Sequence, residues 1–373
     1  MRQSQLGCLT DDLPVGQKIQ VYGHSFTQER VCHPISSQVL FLGIVHWYQN
    51  VLPPQKRPDQ AYHDAVPHTS NIRKKAAGYC RGYLCMVEYR ILAPSWKSYT
   101  LLDFGEGQRL ERWGEITLHR PDGWAIGAPE KPIASWKPQY RFVLEGAYQG
   151  RWEPPLPPAW TITYQSKKGW VLHLEVRPSR YKHLGVFPEQ AVHWEWLFEA
   201  LREQPEARVL NLFAYTGAAS VVAALAGAQV THVDASKPAL TWANQNARLN
   251  QITSIRWIHD DARLFVQREV RRNHRYHAIL LDPPAYGLSP EGKRWLLEKD
   301  LPPLLQSLSL LLKKGGLILL NTYSGDISPF TLHRLMQETF GPMQIETGEL
   351  TLRTPAGRSL STGYFLRGWR LST

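Results

Sequence analysis

Cysteine is absent from residues 86–373, and the four that the chain has, Cys8, Cys32, Cys80 and Cys85, all precede that stretch. No disulfide framework or thiolate metal site can therefore organise the larger part of the protein. The spacings among the four do not match the paired C-x2-C ligands of zinc sites, so no metal is expected. A secretory leader and a spanning helix are also missing. The most apolar early run, 39–45, is too short, and 209–230 is interrupted by Asn211, Thr216 and Ser220. A cytoplasmic protein is expected. No internal repeat or low-complexity tract occurs. With 43% hydrophobic and 20% charged residues among 373, the chain can build a core, which excludes wholesale disorder, a collagenous fibre and a small disulfide scaffold. Its length predicts two folded units. Acidic residues are in deficit, 32 against 43 basic, and the formal net charge of +11 creates a field that recruits polyanions such as phosphate backbones. A merely soluble basic protein is the plain alternative.

Tryptophan shows the reverse asymmetry to cysteine, with only Trp47 of the 14 in residues 1–85. That leader lacks sustained periodicity, and it reads either as a small accessory domain or as sequence ahead of a true start at Met86. From 86 to 153 short β-type runs at 88–92, 99–103 and 115–119 alternate with turn signals, which predicts a small β domain. Four prolines in 152–160 cannot continue a helix or a central strand and mark a domain boundary. A second domain over 159–373 opens with a β-hairpin around Ser166-Lys-Lys-Gly169. Trp194, Leu197, Phe198 and Leu201 then fall at i, i+3, i+4, i+7, so a helix starts near Pro188. Strands at 209–213, 230–233, 255–258, 278–281 and 317–320 alternate with helices, one of them opened by Pro302-Pro303. Such alternation demands right-handed crossovers and hence a mostly parallel sheet covered on both faces, a doubly wound α/β fold. The carboxyl end reads as strands about a turn at Pro355-Ala-Gly357, an antiparallel edge.

In such a sheet ligands bind beyond the carboxyl ends of the strands. The first strand ends in Asn211-Leu-Phe-Ala-Tyr-Thr-Gly217, a turn with one glycine where a dinucleotide enzyme would want G-x-G-x-x-G. The second ends at Asp234, placed for a carboxylate to accept from both ribose hydroxyls. The third ends at Asp260-Asp261-Ala262, where Asp261 or the adjacent backbone could read an adenine amine. Together these fit an adenosine without phosphates, as in S-adenosylmethionine. The structural alternatives are a helix contact near Ser236 for Asp234 and a cap on its own helix for Asp261. The fourth strand ends in Asp282-Pro-Pro-Ala-Tyr286. Prolines supply carbonyls but no N–H, so Asp282 and the Pro283 carbonyl form an acceptor-only edge suited to a planar amine, beside which Tyr286 can stack on a base.

These stretches resemble the class I S-adenosylmethionine-dependent methyltransferases, and more closely the bacterial branch containing ribosomal RNA large-subunit methyltransferases. Also matching are Tyr181-Lys-His-Leu-Gly-Val-Phe-Pro-Glu-Gln190, His232-Val-Asp234 and, in the small β region, 103–114 with Arg120-Pro-Asp122. The resemblance implies a Rossmann-like sheet and a cofactor set of Phe187, Gln190, Phe213, Tyr215, Thr216, Gly217, Asp234, Ser236, Asp261 and Ala262. It implies a catalytic edge of Asp282, Pro283, Pro284 and Tyr286, and RNA as the partner. Two departures matter. The fifth strand runs into 319–325 without the cysteine that members acting on cytosine C5 carry, and Leu184-Gly185 replaces a usual Thr-Gly. Methyl transfer to a nitrogen of an RNA base is therefore the expectation. The alternatives are a protein or small-molecule amine as acceptor, or a non-catalytic RNA-binding module. Arg177, Arg180 and Lys182, beside the cofactor entrance, are expected phosphate contacts. The cluster Arg268, Arg271, Arg272, His274 and Arg275 reads as a solvated face on the opposite side, and His193 and His232 as structural.

Overall fold

The computed structural model describes residues 75–80, 83–147 and 149–371, with side chains from Tyr89 onward. Readings made on Cys8, Cys32 and the rest of 1–74 lie outside the described residues. Strands β1 (Lys75–Cys80) and β2 (Tyr83–Leu92) come first. A five-stranded sheet follows, from β3 (Tyr99–Gly105), β4 (Gln108–Trp113), β5 (Ile116–Pro121), β6 (Tyr140–Leu144) and β7 (Gly150–Glu153). The expected hairpin is β8 (Trp160–Gln165) with β9 (Val171–Val176). A short 3-10 turn, Pro188–Gln190, leads into α1 (Ala191–Leu201).

The alternating part then runs β10 (Arg208–Leu212), α2 (Ala218–Leu225), β11 (Gln229–Asp234), α3 (Lys237–Leu249), β12 (Arg256–His259), α4 (Ala262–Arg271) and β13 (Tyr276–Leu281). A two-stranded ribbon of β14 (Tyr286–Leu288) and β15 (Arg294–Leu296) precedes α5 (Leu297–Ser309), β16 (Leu312–Thr322), α6 (Pro329–Phe340), β17 (Met343–Arg353) and β18 (Ser359–Arg370). The main sheet has nine strands in the order β1-β2-β17-β18-β16-β13-β10-β11-β12. From β16 to β12 the pairs are parallel, and β18 enters antiparallel between β16 and β17.

Period-two alternation decides which face each residue covers. Val209, Ala278, Leu280, Leu317 and Leu319 face one core with α1, α2 and the β8–β9 hairpin. Leu210, Leu212, Ile279, Leu281, Ile318 and Leu320 face the other, under α4, α5 and α6. With both faces buried, the central strands read as continuous apolar runs. Strand order reverses at β10, whose neighbours β11 and β13 carry the chain to opposite sides, so the crevice opens at its carboxyl end.

Three expectations need correction. Segment 88–92 does not belong to the small β unit. It lies in β2, which pairs in parallel with β17 from Val87 to Leu92, so the position expected as a boundary, Met86, falls inside a strand of the main sheet. The β17–β18 pair is consequently interior, and β1 forms that edge. Pro302 and Pro303 do not open α5, which starts five residues earlier. Leu297, Leu301, Leu304, Leu305 and Leu308 form its buried stripe, and Asp300 in its first turns accepts the Leu296 N–H at 2.8 Å, so packing outweighs the bonds two prolines remove.

The small sheet is tied to the main sheet by Asp103. Its carboxylate accepts from the N–H groups of Phe104 (2.8 Å), Glu130 and Lys131 (both 3.0 Å), from Trp136 Nε1 (3.1 Å) and from Arg358 Nη1 (3.0 Å) in the β17–β18 turn. Arg358 also lies over the Phe104 ring at 4.4 Å. Burial pushes the Asp103 pKa up, and the surrounding donors more than reverse this, holding it below the usual carboxylate range. A carboxylate with a depressed folded pKa adds stability above its unfolded pKa, and that contribution disappears as pH falls through the folded value. Asp103→Ala is expected to cost about 3 kcal/mol at pH 7 in urea unfolding. The difference from wild type should shrink as pH falls below 4; an equal difference at pH 7 and pH 3 would contradict this account.

Candidate active site

The carboxyl ends of β10, β11, β13 and β16 lie along one edge because the four strands are parallel. A cavity of about 70 Å³ opens there, lined by Phe187, Gln190, the 213–219 turn, Asp282 and Asn321. The turn after β10 is conformationally costly. Phe213 (φ 54°), Tyr215 (φ 48°) and Gly217 (φ 81°) all sit in the left-handed region, which non-glycine residues rarely adopt, and such strain gathers where backbone must be aimed. It is held by Thr216 Oγ1 donating to Gly185 O (2.5 Å), Asn246 Nδ2 donating to Thr216 O (2.8 Å) and Tyr215 N–H donating to Asp234 Oδ2 (2.8 Å). The α2 amino end follows immediately, presenting unpaired N–H groups and a positive dipole.

Asp234 ends β11. Its Oδ1 accepts the Ser236 N–H at 2.8 Å, and burial raises its pKa against the pull of the two N–H donors. Ser236 itself caps α3, accepting from Ala239 N. Asp261 behaves as the structural alternative foresaw. It caps α4, accepting from the N–H groups of Arg263 (2.8 Å) and Leu264 (3.4 Å), and Arg263 Nη2 closes on Oδ2 at 2.7 Å. Despite its burial, its pKa is held low by that guanidinium and the helix donors. Ala262, buried, is the first residue of α4. Asp234, Ser236, Asp261 and Ala262 stand beyond the cavity wall, at the next two strand ends.

Asp282 directly follows β13 and lines the cavity. Its Oδ2 accepts from Gln190 Nε2 at 3.3 Å, while its buried Oδ1 has no partner. Burial and the neighbouring Glu189 carboxylate push its pKa up to about 8. Pro283 is buried, Pro284 exposed, and the Pro284 carbonyl is occupied by Trp295 Nε1 at 2.7 Å. Tyr286 opens the ribbon with 55% of its surface exposed, its ring available beside the edge. Trp295 braces this loop from below and packs on Phe213 (4.8 Å).

Several site residues were not singled out from sequence. Asn321 Nδ2 donates to Gln190 Oε1 at 3.0 Å and so fixes the amide, whose Nε2 donates to Tyr323 Oη at 2.8 Å. Phe187 stands between Tyr323 (5.1 Å) and Tyr215 (6.0 Å). Their position after the fifth parallel strand was the available signal. His193, fully buried, also lines the cavity; its ring faces Asn321, and burial keeps it neutral. His232 of β11 shares a hydrogen bond with Ser220 Oγ (3.0 Å) and does not line the cavity. Leu184, in place of the hydroxyl residue, is packed in the core.

The entrance segment is bound to the small sheet: Arg120 Nη1 donates to Lys182 O (2.7 Å) and Gly150 N–H to Arg180 O (2.9 Å). Arg180 is exposed. Arg177 is half-buried, pairs with Glu175 and lies over Trp242 at 5.2 Å, and Lys182 is half-buried. Of the cluster expected opposite the edge, Arg268 instead reaches Asp260, at the carboxyl end of β12, while Arg272 and His274 pair with Glu269.

A family model described as S-adenosylmethionine-dependent methyltransferase matches residues 153–366. A solved S-adenosylmethionine-dependent methyltransferase from Agrobacterium tumefaciens is 37% identical, with a TM-score of 0.71 over 79% of this chain and 97% of that one. Proteins named ribosomal RNA large subunit methyltransferase K/L are similar over a shorter stretch. The one from Legionella pneumophila is 33% identical over 145 residues, 38% of this chain and 20% of that protein, and the one from Methylococcus capsulatus 35% identical over 147 residues, 38% and 19%. The chain thus spans about a fifth of the length of these curated relatives.

Two glycines separate backbone strain from crowding. Gly169 (φ 94°) and Gly185 (φ 90°) share the left-handed conformation, but an added Cβ meets nothing within 4 Å at Gly169 and the Trp242 ring at 2.1 Å at Gly185. Gly169→Ala should cost about 1 kcal/mol and Gly185→Ala at least about 1–3 kcal/mol more in urea unfolding. Equal costs would show that the entrance segment does not pack on Trp242 as described.

Proposed function

The chain belongs to the family of S-adenosylmethionine-dependent methyltransferases, and from that premise we propose that it methylates a nitrogen of a base in RNA, ribosomal RNA in particular. The observation that carries this reading is the unpartnered buried oxygen of Asp282, set between two prolines and a cavity. An acceptor without a donor invites an N–H, and the neighbouring Pro283 carbonyl is a second acceptor. RNA is supported by the +11 charge, by the exposure of Tyr286 and Arg180, and by the names of the relatives.

The residues fit the cofactor. The left-handed turn at 213–217 aims backbone at the cavity, Asn321 Oδ1 is a second buried acceptor without a partner, and Asp234 is desolvated with lone pairs to spare. In this reading Phe187, Gln190, Phe213, Tyr215, Thr216 and Gly217 enclose the methionine portion and Asp234 with Ser236 holds the ribose. Asp261 retains one lone pair on Oδ2 for an adenine amine, next to Ala262. Bound S-adenosylmethionine supplies a methyl group on a cationic sulfur. Asp282 and Pro283 O then hold the acceptor amine by two N–H bonds, which orients its lone pair toward that methyl and raises its electron density, while Tyr286 stacks on the base. Attack through pyrimidine C5 would need a covalent bond at C6 from a thiolate; no cysteine follows residue 85, and Cys80 and Cys85 lie in β1 and β2, separated from β13 by β17, β18 and β16.

Incubation with radiolabelled cofactor and total RNA from a strain lacking the gene should place label in RNA, located by nuclease mapping. Label only in protein or small molecules would overturn the RNA reading. Asp234→Ala should weaken binding of S-adenosylhomocysteine by about ten- to a hundredfold in calorimetry, roughly 1.5–3 kcal/mol, whereas Asp282→Ala should depress turnover far more than that affinity. RNA containing 5-fluorocytidine should leave no covalent adduct on a denaturing gel; a trapped adduct would contradict the nitrogen assignment.

A further inference from the structure

Glu189 and Asp282 are two buried carboxylates served by one polar bridge. Gln190 Nε2 donates to Asp282 Oδ2 (3.3 Å) and to Tyr323 Oη (2.8 Å). Because the Tyr323 oxygen accepts from Gln190, its own O–H is left to donate, and Glu189 is the carboxylate it faces. Each acid has a buried oxygen without a partner, Oε2 of Glu189 and Oδ1 of Asp282. Among the described residues no Lys or Arg nitrogen forms an ion pair with either. The nearest cations act from the small sheet and are already engaged: Arg109 with Glu111 (3.4 Å) and Asp122 (3.1 Å), Arg120 with Glu111 (2.6 Å).

The groups that face the pair are these. Glu189 feels Arg109 from β4, Arg120 from β5 and Asp122 just beyond it; Asp282 feels Glu189; Tyr323 feels both acids. The nearby His193 is neutral and faces Arg367 and Asn321 instead. Two carboxylates in a desolvated site without a cation do not both ionise and titrate as a pair.

We propose that Glu189 and Asp282 share one proton, and that Glu189 is the positioning residue that makes Asp282 basic enough to take the proton shed by the methylated nitrogen. The proposal rests on transfer to nitrogen. As the N–C bond forms, the S–C bond breaks with its electron pair left on sulfur, and the nitrogen becomes cationic. Its N–H already points at Asp282, so the proton passes to the carboxylate, giving a neutral methylated amine and a neutral acid, which releases the proton to water as product leaves. Burial and the Glu189 charge raise the pKa of Asp282, and burial raises that of Glu189, in the direction this requires.

Isotope-edited infrared titration of the ligand-free full chain, with Asp282→Asn to assign the band, reads the Asp282 carboxyl directly. Its midpoint should lie near 8 in wild type, fall by about one unit or more in Glu189→Gln, and stay high in Glu189→Asp, which keeps the charge. The acid limb of single-turnover methyl transfer should move down by the same interval. Should Glu189→Gln not fold, Tyr323→Phe serves: removing the donor draws the shared proton to Glu189, and the Asp282 midpoint should again fall. An unmoved midpoint overturns the pair, and a moved midpoint with an unmoved acid limb overturns the proton-acceptor role. A moved midpoint without any RNA methylation supports the pair and counts against the RNA reading alone.

Discussion

A buried carboxylate oxygen without a donor is the constraint around which this site is arranged. A buried acceptor left wholly unmet costs on the order of 1–3 kcal/mol, and no side chain or backbone N–H of the described residues meets Asp282 Oδ1. Two prolines after Asp282 remove the backbone N–H groups that could have turned back on it. Trp295 anchors the loop by the Pro284 carbonyl, and the Asn321–Gln190–Tyr323 chain fixes the amide on the other oxygen. What remains is one carboxyl oxygen with no protein donor at the edge of the cavity.

The small sheet contributes to this site from outside it. Its buried charges are paired among themselves, with Glu111 held near pKa 2 by Arg109 and Arg120 despite its burial. One of these, Arg120, also donates to the Lys182 carbonyl, and Gly150 donates to the Arg180 carbonyl. The segment that carries Leu184, Gly185 and Phe187 into the cavity is therefore fixed at both ends, by the small sheet and by Thr216 and Trp242 of the catalytic domain. Asp103 and Arg358 make the corresponding tie at the far side. An accessory sheet built this way sets the entrance geometry even though none of its side chains lines the cavity.

The alternation of apolar runs with helical stripes made the parallel sheet legible, because strands buried on both faces leave a strong signal. The ends of those strands, where Asp234 and Asp282 sit, were legible with them. What escaped was set by contacts distant in sequence. Strand β2 has no pattern that distinguishes a place beside β3 from one beside β17, some 250 residues later. The prolines of α5 look like a start until the leucine stripe beginning at Leu297 is seen to be buried. Asn321 and Tyr323 carry no motif; they matter because Gln190 lies across from them. For Asp261, the capping alternative was visible in the sequence and is the geometry found.

The central claim is that Asp282 presents a base nitrogen for methylation. Its most direct test is nucleoside mass spectrometry of RNA from cells whose only copy of the gene carries Asp282→Ala, compared with cells carrying the natural sequence. The account predicts that one methylated nucleoside disappears, and that its fragments place the methyl group on a base nitrogen. Loss of a C5-methylated pyrimidine or a 2′-O-methylated ribose, or an unchanged set of nucleosides, would contradict it.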